Sequence, residues 1–113
     1  MIYLASPYSS GLPSVVQERY LKTIQFTMLL LQQEVPVFSP IAYIHPFASA
    51  AKMPTDAETW MNFNIQFLRR ADSIYVLRLM GWDQSAGVQA EVKLARALNI
   101  PRFDFNSDFQ PVQ

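Results

Sequence analysis

The most informative part of the sequence is Trp82-Asp83-Gln84-Ser85-Ala86-Gly87-Val88-Gln89-Ala90-Glu91. The apolar run before it, residues 73–79, predicts a buried strand. Residues 88–98 carry apolar side chains at helical spacing and predict a helix. A buried strand that leads through a Ser/Gly turn into a helix is typical of α/β domains with a parallel sheet.

The start of this helix is a candidate site. Ser85 and Gly87 stand where the free N–H groups and the positive dipole end of a first turn could hold an anion. Glu91 lies one turn further on, at the flank of the buried face, and helical side chains lean toward the N-terminus. The spacing therefore predicts a carboxylate aimed at an anion site. The alternative is a serine-capped helix with Glu91 solvated at its edge.

Composition limits the class of protein. The 113 residues suit one domain, 1–113, and half of them are hydrophobic while 16% are charged, as in a globular protein with a core. Nine basic and nine acidic residues cancel, which gives no electrostatic case for nucleic acid or a membrane surface. The chain has no cysteine and one histidine, and we expect neither a metal site nor a cofactor. We find no signal peptide and no membrane span, so we expect a cytoplasmic protein.

The first strand is predicted over residues 2–5 and ends in a polar loop, 6–11, with Ser6, Pro7, Tyr8 and Ser9. In an open parallel sheet, ligands bind at the carboxyl ends of the strands. The alternative is an ordinary polar turn that caps the next helix. That helix should open at Pro13-Ser14 and bury a face that contains Val16, Tyr20, Ile24, Met28 and Leu31.

The middle of the chain offers two further candidates. His45 follows a predicted second strand, 37–39, and Pro46 disfavours helix at His45 itself. His45 could reach the ligand crevice or could be tied into a loop hydrogen bond. A helix should start at Thr55-Asp56-Ala57-Glu58 and run to about Arg70, with Trp60 and Asn64 on one face. Asn64 would satisfy a buried backbone group or face a ligand.

A last strand is predicted over residues 101–105, and the tail 106–113 should be irregular. The fold class is therefore α/β, a three-layer, flavodoxin-like or Rossmann-like parallel sheet of about four strands in the order 2-1-3-4. The switch point of this order lies between strands one and three. The loops 6–11 and 82–87 follow those strands, so both candidate sites should converge.

These motifs together resemble the nucleoside 2-deoxyribosyltransferase-like superfamily, closest to its small uncharacterised bacterial and phage members of the DUF1937 and DUF4406 type. The shared features cover nearly the whole chain: Tyr3-Leu4-Ala5-Ser6-Pro7-Tyr8, Phe38-Ser39-Pro40-Ile41, Trp60 with Asn64, Ala71-Asp72, Gly81-Trp82-Asp83 with Ser85 and Gly87, Glu91, and Ile100-Pro101.

The resemblance implies roles for the candidate residues. Glu91 would be the nucleophile that attacks the anomeric carbon of a nucleoside or nucleotide, and the resulting glycosyl ester would pass to water or to a new base. Ser85 and Gly87 would hold a 5′-hydroxyl or 5′-phosphate, and Tyr8 would touch the sugar or orient Glu91. The full set of predicted substrate-binding residues is Ser6, Pro7, Ser9, His45, Trp60, Asp83, Ser85 and Gly87.

One departure from the superfamily pattern keeps the function open. Enzymes of the superfamily usually carry an aspartate at the position of Asn64, and asparagine cannot accept a proton or supply negative charge. The first hypothesis is an N-glycosidic hydrolase or transferase, with Glu91, Tyr8 and Asn64 as catalytic residues. The alternatives are a nucleotide-binding or sensor module without turnover, or an enzyme that cleaves an adenine dinucleotide. We also expect a homodimer or higher homo-oligomer.

Overall fold

The computed structural model describes residues 1–51 and 57–113, and the side chains of all of these except residues 51 and 57–59. The predicted helix start at Thr55 and Asp56 lies outside the described residues. The described elements are, in chain order, β1 (Ile2–Ala5), α1 (Pro13–Gln32), β2 (Val37–Phe38), α2 (Pro40–Ala51), α3 (Ala57–Leu68), β3 (Ser73–Leu77), a 3₁₀ turn (Trp82–Gln84), α4 (Ala86–Ala97), β4 (Arg102–Phe105) and β5 (Pro111–Val112).

The strands form a single mixed sheet in the order β2-β1-β3-β4-β5 within the described part of the chain. The first four strands are parallel, and β5 is antiparallel to β4. The prediction of four strands in the order 2-1-3-4 is therefore wrong, because the sheet has a fifth strand, β5, on the far side of β4. The helices and the parallel strands make the domain mixed α/β, as predicted.

The fifth strand exists because the tail turns back on itself, which corrects the prediction of an irregular tail. The side-chain Oδ1 of Asn106 accepts hydrogen bonds from the N–H groups of Asp108 and Gln110, both at 3.0 Å. Phe109 takes a left-handed conformation, φ 65, and its ring stacks on Phe26 at 5.0 Å. The turn and the ring contact together place residues 111–112 beside β4.

The two faces of the sheet bury different side chains, because successive residues of a strand point to opposite sides. Tyr3, Ala5, Ile74 and Val76 pack with Leu68 of α3 and with Val88 and Ala95 of α4. Leu4 and Leu77 pack on the opposite side with Phe26 and Leu30 of α1. Helix α4 and strand β1 therefore meet on the face that carries Tyr3.

The buried face of α1 differs from the predicted one. Met28 is 53% exposed and Leu31 is 54% exposed, so these two residues do not belong to the core face. The buried residues of the helix are Thr23, Phe26, Thr27 and Leu30. The two threonine hydroxyls donate to backbone carbonyls one turn earlier, at 2.8 and 2.7 Å, which satisfies them in the interior. Because threonine is polar, the pattern of apolar residues does not reveal this buried face of α1.

The prediction that His45 lies outside a helix is wrong, because α2 continues through His45 and Pro46. The side-chain Oγ of Ser39 accepts from the N–H of Ala42 at 3.1 Å, near the start of the helix. His45 in turn stacks on Tyr20 of α1 with ring centroids 3.7 Å apart. The packing of His45 against Tyr20 outweighs the preference of a residue before proline for an extended conformation. No helix in the described residues is long and apolar enough to cross a membrane.

Candidate functional site

A cavity of about 320 Å³ opens at the carboxyl ends of β1 and β3. Its walls are the loop after β1, the first turns of α2, the side of α3, and the turn that leads into α4. The lining residues are Ser6, Tyr8, Ser9, Pro40, Ile41, Ile44, Trp60, Met61, Asn64, Gln84, Ser85, Ala86, Gly87 and Glu91. Its size and mainly apolar wall with a few polar groups are typical of small-molecule sites.

The structure brings most of the predicted site residues to this one cavity. Those on its wall are Ser6, Tyr8, Ser9, Trp60, Asn64, Ser85, Gly87 and Glu91. Pro7 is fully buried and does not reach the cavity, and Asp83 lies exposed on the 3₁₀ turn. His45 also stays off the wall, but it bonds to Tyr8, which lines it. Residues of the loop after β1 and of the turn before α4 line the same cavity.

Glu91 is the buried carboxylate of the site. It is 6% exposed, and its Oε2 accepts a hydrogen bond from the hydroxyl of Tyr3, which β1 holds in the interior. Burial raises the pKa of Glu91 from its ordinary value of 4.5 to about 7, and it outweighs the Tyr3 hydrogen bond, which lowers that pKa. The pKa of Tyr3 is raised, first by burial and then by the charge of Glu91. A carboxyl held in one orientation and titrating near neutral pH can act as a nucleophile or as a base.

The sequence analysis gives Tyr3 no role in the site, and its candidate to touch the sugar or orient Glu91 is Tyr8. A signal for Tyr3 was present in the strand pattern. Tyr3 shares a sheet face with Ala5, and α4 packs on that face. A tyrosine hydroxyl on that face has to find a polar partner, and the buried carboxylate of α4 supplies one.

The N-terminus of α4, where the backbone N–H groups are free to donate, lies at the cavity. Ser85 is the N-cap, and its Oγ accepts from the N–H of Val88 at 3.2 Å. The N–H groups of Ala86 and Gly87 belong to the first turn, which has no intrahelical acceptors. Both residues line the cavity. This end of the helix can hold an anionic group of a ligand.

Asn64 places an unsatisfied acceptor in the same cavity. Its side chain is 8% exposed, and its Oδ1 has no hydrogen-bond partner among the described residues. A buried acceptor without a partner costs about 1–3 kcal/mol. A ligand that presents an O–H or N–H donor at this position would remove that cost.

Tyr8 and His45 form a bonded pair at the cavity wall. The hydroxyl of Tyr8 lies 2.7 Å from Nδ1 of His45. The pKa of Tyr8 is raised, mainly by burial and further by Tyr20, and burial lowers the pKa of His45. The directions of both shifts favour the neutral groups at pH 7, and the tautomer of His45 decides which of the two donates.

Arg19 links the loop after β1 to the loop after β3, a role that the sequence analysis does not predict. Its guanidinium donates to the carbonyl of Ser9 at 2.8 Å and to the carbonyl of Met80 at 2.9 Å. Gly81 is next to it in a left-handed conformation, φ 87, and a Cβ there would stand 2.6 Å from Nη2 of Arg19. Glycine is therefore favoured at position 81 by its left-handed conformation, and a larger residue there would also displace the end of the Arg19 side chain.

No group of three or more histidine, aspartate or glutamate side chains in the described part of the chain could hold a metal ion. The acidic side chain on the cavity wall is Glu91. The chemistry that the described wall can support is therefore that of a single carboxylate with hydroxyl, amide and backbone N–H groups around it.

Comparison with known proteins places the chain in a family. The model of the family described as "Domain of unknown function (DUF1937)" matches residues 1–106. The chain belongs to this family, as the sequence motifs predicted. No curated protein matches the chain significantly.

Proposed function

We propose that the protein cleaves or transfers an N-glycosidic bond of a (deoxy)nucleoside or nucleotide, with Glu91 as the carboxylate nucleophile. The observation that carries this proposal is the buried Glu91, which accepts a hydrogen bond from the hydroxyl of Tyr3 and lines the cavity. A structural carboxylate is normally paired with a cation or several donors when it is buried. Glu91 has a phenol as its bonding partner and keeps a pKa near 7, which is the state that a catalytic carboxylate needs.

The reaction would proceed in two steps. An oxygen of Glu91 attacks the anomeric carbon, the bond from that carbon to the base nitrogen breaks, and a glycosyl ester forms. Water or a second base then attacks the same carbon with a lone pair, loses a proton to the solvent, and displaces the carboxylate of Glu91. Tyr3 keeps the attacking carboxylate in one orientation and bonds to it after each turnover.

Two further groups support a nucleoside or nucleotide as the ligand. The first turn of α4, at Ala86 and Gly87, suits a 5′-phosphate or 5′-hydroxyl. The unsatisfied Oδ1 of Asn64 suits a sugar hydroxyl or a base N–H. The resemblance to the nucleoside 2-deoxyribosyltransferase-like superfamily, with its flavodoxin-like sheet, suggests the same substrate class.

A second candidate function is a nucleotide-binding or sensor module without turnover. Asn64 favours it, because an asparagine at this buried position accepts and donates hydrogen bonds but cannot transfer a proton. A module of this kind would use the α4 turn and Asn64 for affinity. It would have no need for the ionisation of Glu91.

We also propose that the protein is a homodimer or higher homo-oligomer. Tyr43 and Phe47 of α2 and Phe63 of α3 are 46%, 40% and 36% exposed, and Tyr43 stacks on Phe63 at 5.5 Å. Exposed aromatic surface of this kind is typical of protein interfaces. Light scattering at micromolar concentration should give at least twice the chain mass of 12.9 kDa. A monomer mass would contradict the proposal.

A mass-spectrometric screen tests the proposed activity. The protein is incubated with a panel of nucleosides, deoxynucleosides and their 5′-monophosphates, and released free base is measured. Glu91→Gln should lower release by several orders of magnitude, because it keeps the shape of the side chain and removes the nucleophile. Glu34→Gln is the matched control, since Glu34 is exposed and lies beyond the C-terminal end of α1. Measurable nucleotide affinity without release from any compound would favour the binding module.

A further inference from the structure

We propose that Tyr8 and His45 form a proton relay that protonates the leaving base, an inference that rests on the proposed N-glycosidic activity. The relay would supply the proton for the leaving base, which Asn64 cannot supply because an amide does not act as an acid. Breaking the bond to a base nitrogen leaves negative charge on that base, and a positioned proton donor speeds such a step by about 10²–10⁴-fold.

The position of the pair fits a path from the outside to the cavity. Tyr8 is 7% exposed and lines the cavity, whereas His45 lies behind it and is partly exposed. The 2.7 Å bond between the Tyr8 hydroxyl and Nδ1 of His45 joins them. The His45 ring is held on its flat side by Tyr20 at 3.7 Å and meets the Tyr8 ring edge-on at 5.7 Å. These contacts restrict the plane of the imidazole, and the 2.7 Å contact places Nδ1 beside the Tyr8 hydroxyl.

The direction of this hydrogen bond depends on the charge of His45. When the imidazole is neutral with Nδ1 unprotonated, the Tyr8 hydroxyl donates to it and turns a lone pair toward the cavity. When the imidazole is protonated, Nδ1–H donates to the Tyr8 oxygen, and the hydroxyl proton has to point elsewhere. Tyr8 lines the cavity, so a bound ligand can accept that proton. Protonation of His45 thus converts Tyr8 from an acceptor into a donor toward the ligand.

The proton balance of the step is closed. As the bond from the anomeric carbon to the base breaks, its electron pair goes to the base nitrogen, and the Tyr8 hydroxyl proton moves to that nitrogen. The Nδ1 proton of His45 moves to the Tyr8 oxygen at the same time. His45 ends neutral, Tyr8 is again a phenol, and Glu91 carries the glycosyl ester. A proton from solvent recharges His45 before the next turnover.

The pH dependence follows from the two groups together. Burial lowers the pKa of His45, and the charged or titratable groups around it are Tyr8, Tyr20 and, at the Tyr8 carbonyl, Arg19. The relay requires His45 to be protonated, whereas Glu91, with a pKa of about 7, has to be ionised. The pKa of the acid lies below that of the nucleophile, so only a minority of molecules is competent at any pH. The rate should peak between the two pKa values.

The experiment compares two leaving groups. One substrate is the natural nucleoside or nucleotide that the screen identifies, and the other carries 4-nitrophenolate on the same sugar, which departs without protonation. Tyr8→Phe and His45→Gln should lower base release by about 10²-fold or more and change nitrophenol release by less than about threefold. Glu91→Gln should abolish both. His45 is the only histidine of the chain, so its ring ¹⁵N signals can be assigned directly. They should show a proton on Nε2 alone at pH 7.5, and Tyr8→Phe should mix the two tautomers.

Each outcome decides between the two proposals. Selective loss of natural base release, with the expected tautomer, supports the relay. An equal loss on both substrates makes the pair structural and overturns the relay, as does unchanged base release in either variant. Release of nitrophenol by Glu91 without any release of natural base would keep the nucleophile and overturn the relay. No release of either leaving group by the unaltered protein would overturn the proposed function and the relay with it.

Discussion

Replacement of Glu91 by glutamine should stabilise the protein at alkaline pH. Glu91 is buried on α4, and its pKa of about 7 lies well above its ordinary value of 4.5. The folded state therefore holds this proton more tightly than the unfolded chain does. The free energy of unfolding should fall as the pH rises from 4.5 through 7, because ionisation of a buried carboxyl costs more in the folded state. Glutamine keeps an oxygen for the Tyr3 hydroxyl and never ionises.

The size of the effect follows from the shift in pKa. One pKa unit corresponds to about 1.4 kcal/mol, so the rise to about 7 corresponds to about 3 kcal/mol above pH 8. For a chain of this length, about 1 kcal/mol changes the melting temperature by about 4 °C. Glu91→Gln should thus melt about 10 °C higher than the unaltered protein at pH 8.5, and the difference should shrink to a few degrees near pH 5.

Thermal unfolding of both proteins, followed by circular dichroism from pH 5 to pH 9, measures this difference. Contributions from His45 and Asp104, whose pKa values are also shifted, are the same in both proteins and cancel. Melting curves that stay parallel over the whole range would refute the reasoning, because Glu91 would then titrate alike in the folded and unfolded states. A lower melting temperature for the glutamine variant at pH 8.5 would refute it as well.

Three further substitutions give separate predictions. Tyr3→Phe removes the hydrogen bond that lowers the pKa of Glu91, so the inflection of the pH–rate profile that Glu91 sets should move to higher pH. An unmoved inflection would show that Tyr3 does not act on the ionised form. Ser85→Ala removes the N-cap and should cost about 1 kcal/mol in thermal unfolding. In calorimetric titration it should also weaken a 5′-monophosphate more than the matching nucleoside, by about 1–2 kcal/mol, and equal weakening would exclude a phosphate at this turn. Asn64→Asp places an unpaired charge in a buried position and should lower the melting temperature at pH 8 without raising base release. A rise in base release of about 10²-fold would instead show that an aspartate at this position donates the proton, which would contradict the Tyr8–His45 relay.

The core of the fold follows from local sequence rules. The apolar run of β3 and the helical spacing of α4 identify both elements. The alternation of strands and helices predicts a parallel sheet, because parallel neighbours need a crossover connection, but it does not predict the fifth strand at the edge of the sheet. The observed strand order brings the loop after β1 and the start of α4 together, which is why most of the predicted site residues share one cavity.

The remaining features depend on contacts between distant parts of the chain. Strand β5 has two residues, too few to show an alternating pattern, and it depends on the Asn106 turn and on the contact of Phe109 with Phe26. The helical conformation of His45 depends on its stacking against Tyr20. Local propensity gives no account of either case. The sequence pattern places Glu91 at the flank of the buried face, whereas its full burial and its bond to Tyr3 result from the packing of α4 on β1.

The central claim is that Glu91 becomes covalently bonded to the sugar, and mass spectrometry of a trapped intermediate tests it most directly. A 2-fluoro-2-deoxy analogue of the accepted substrate slows release of the ester, so the adduct accumulates. Trypsin should yield a peptide of residues 79–93, whose acidic side chains are Asp83 and Glu91. This peptide should gain the mass of the fluorinated sugar, fragmentation should place the added mass on Glu91, and the Glu91→Gln protein should gain none. Base release without any adduct on Glu91, or with the adduct on another residue, would contradict the central claim.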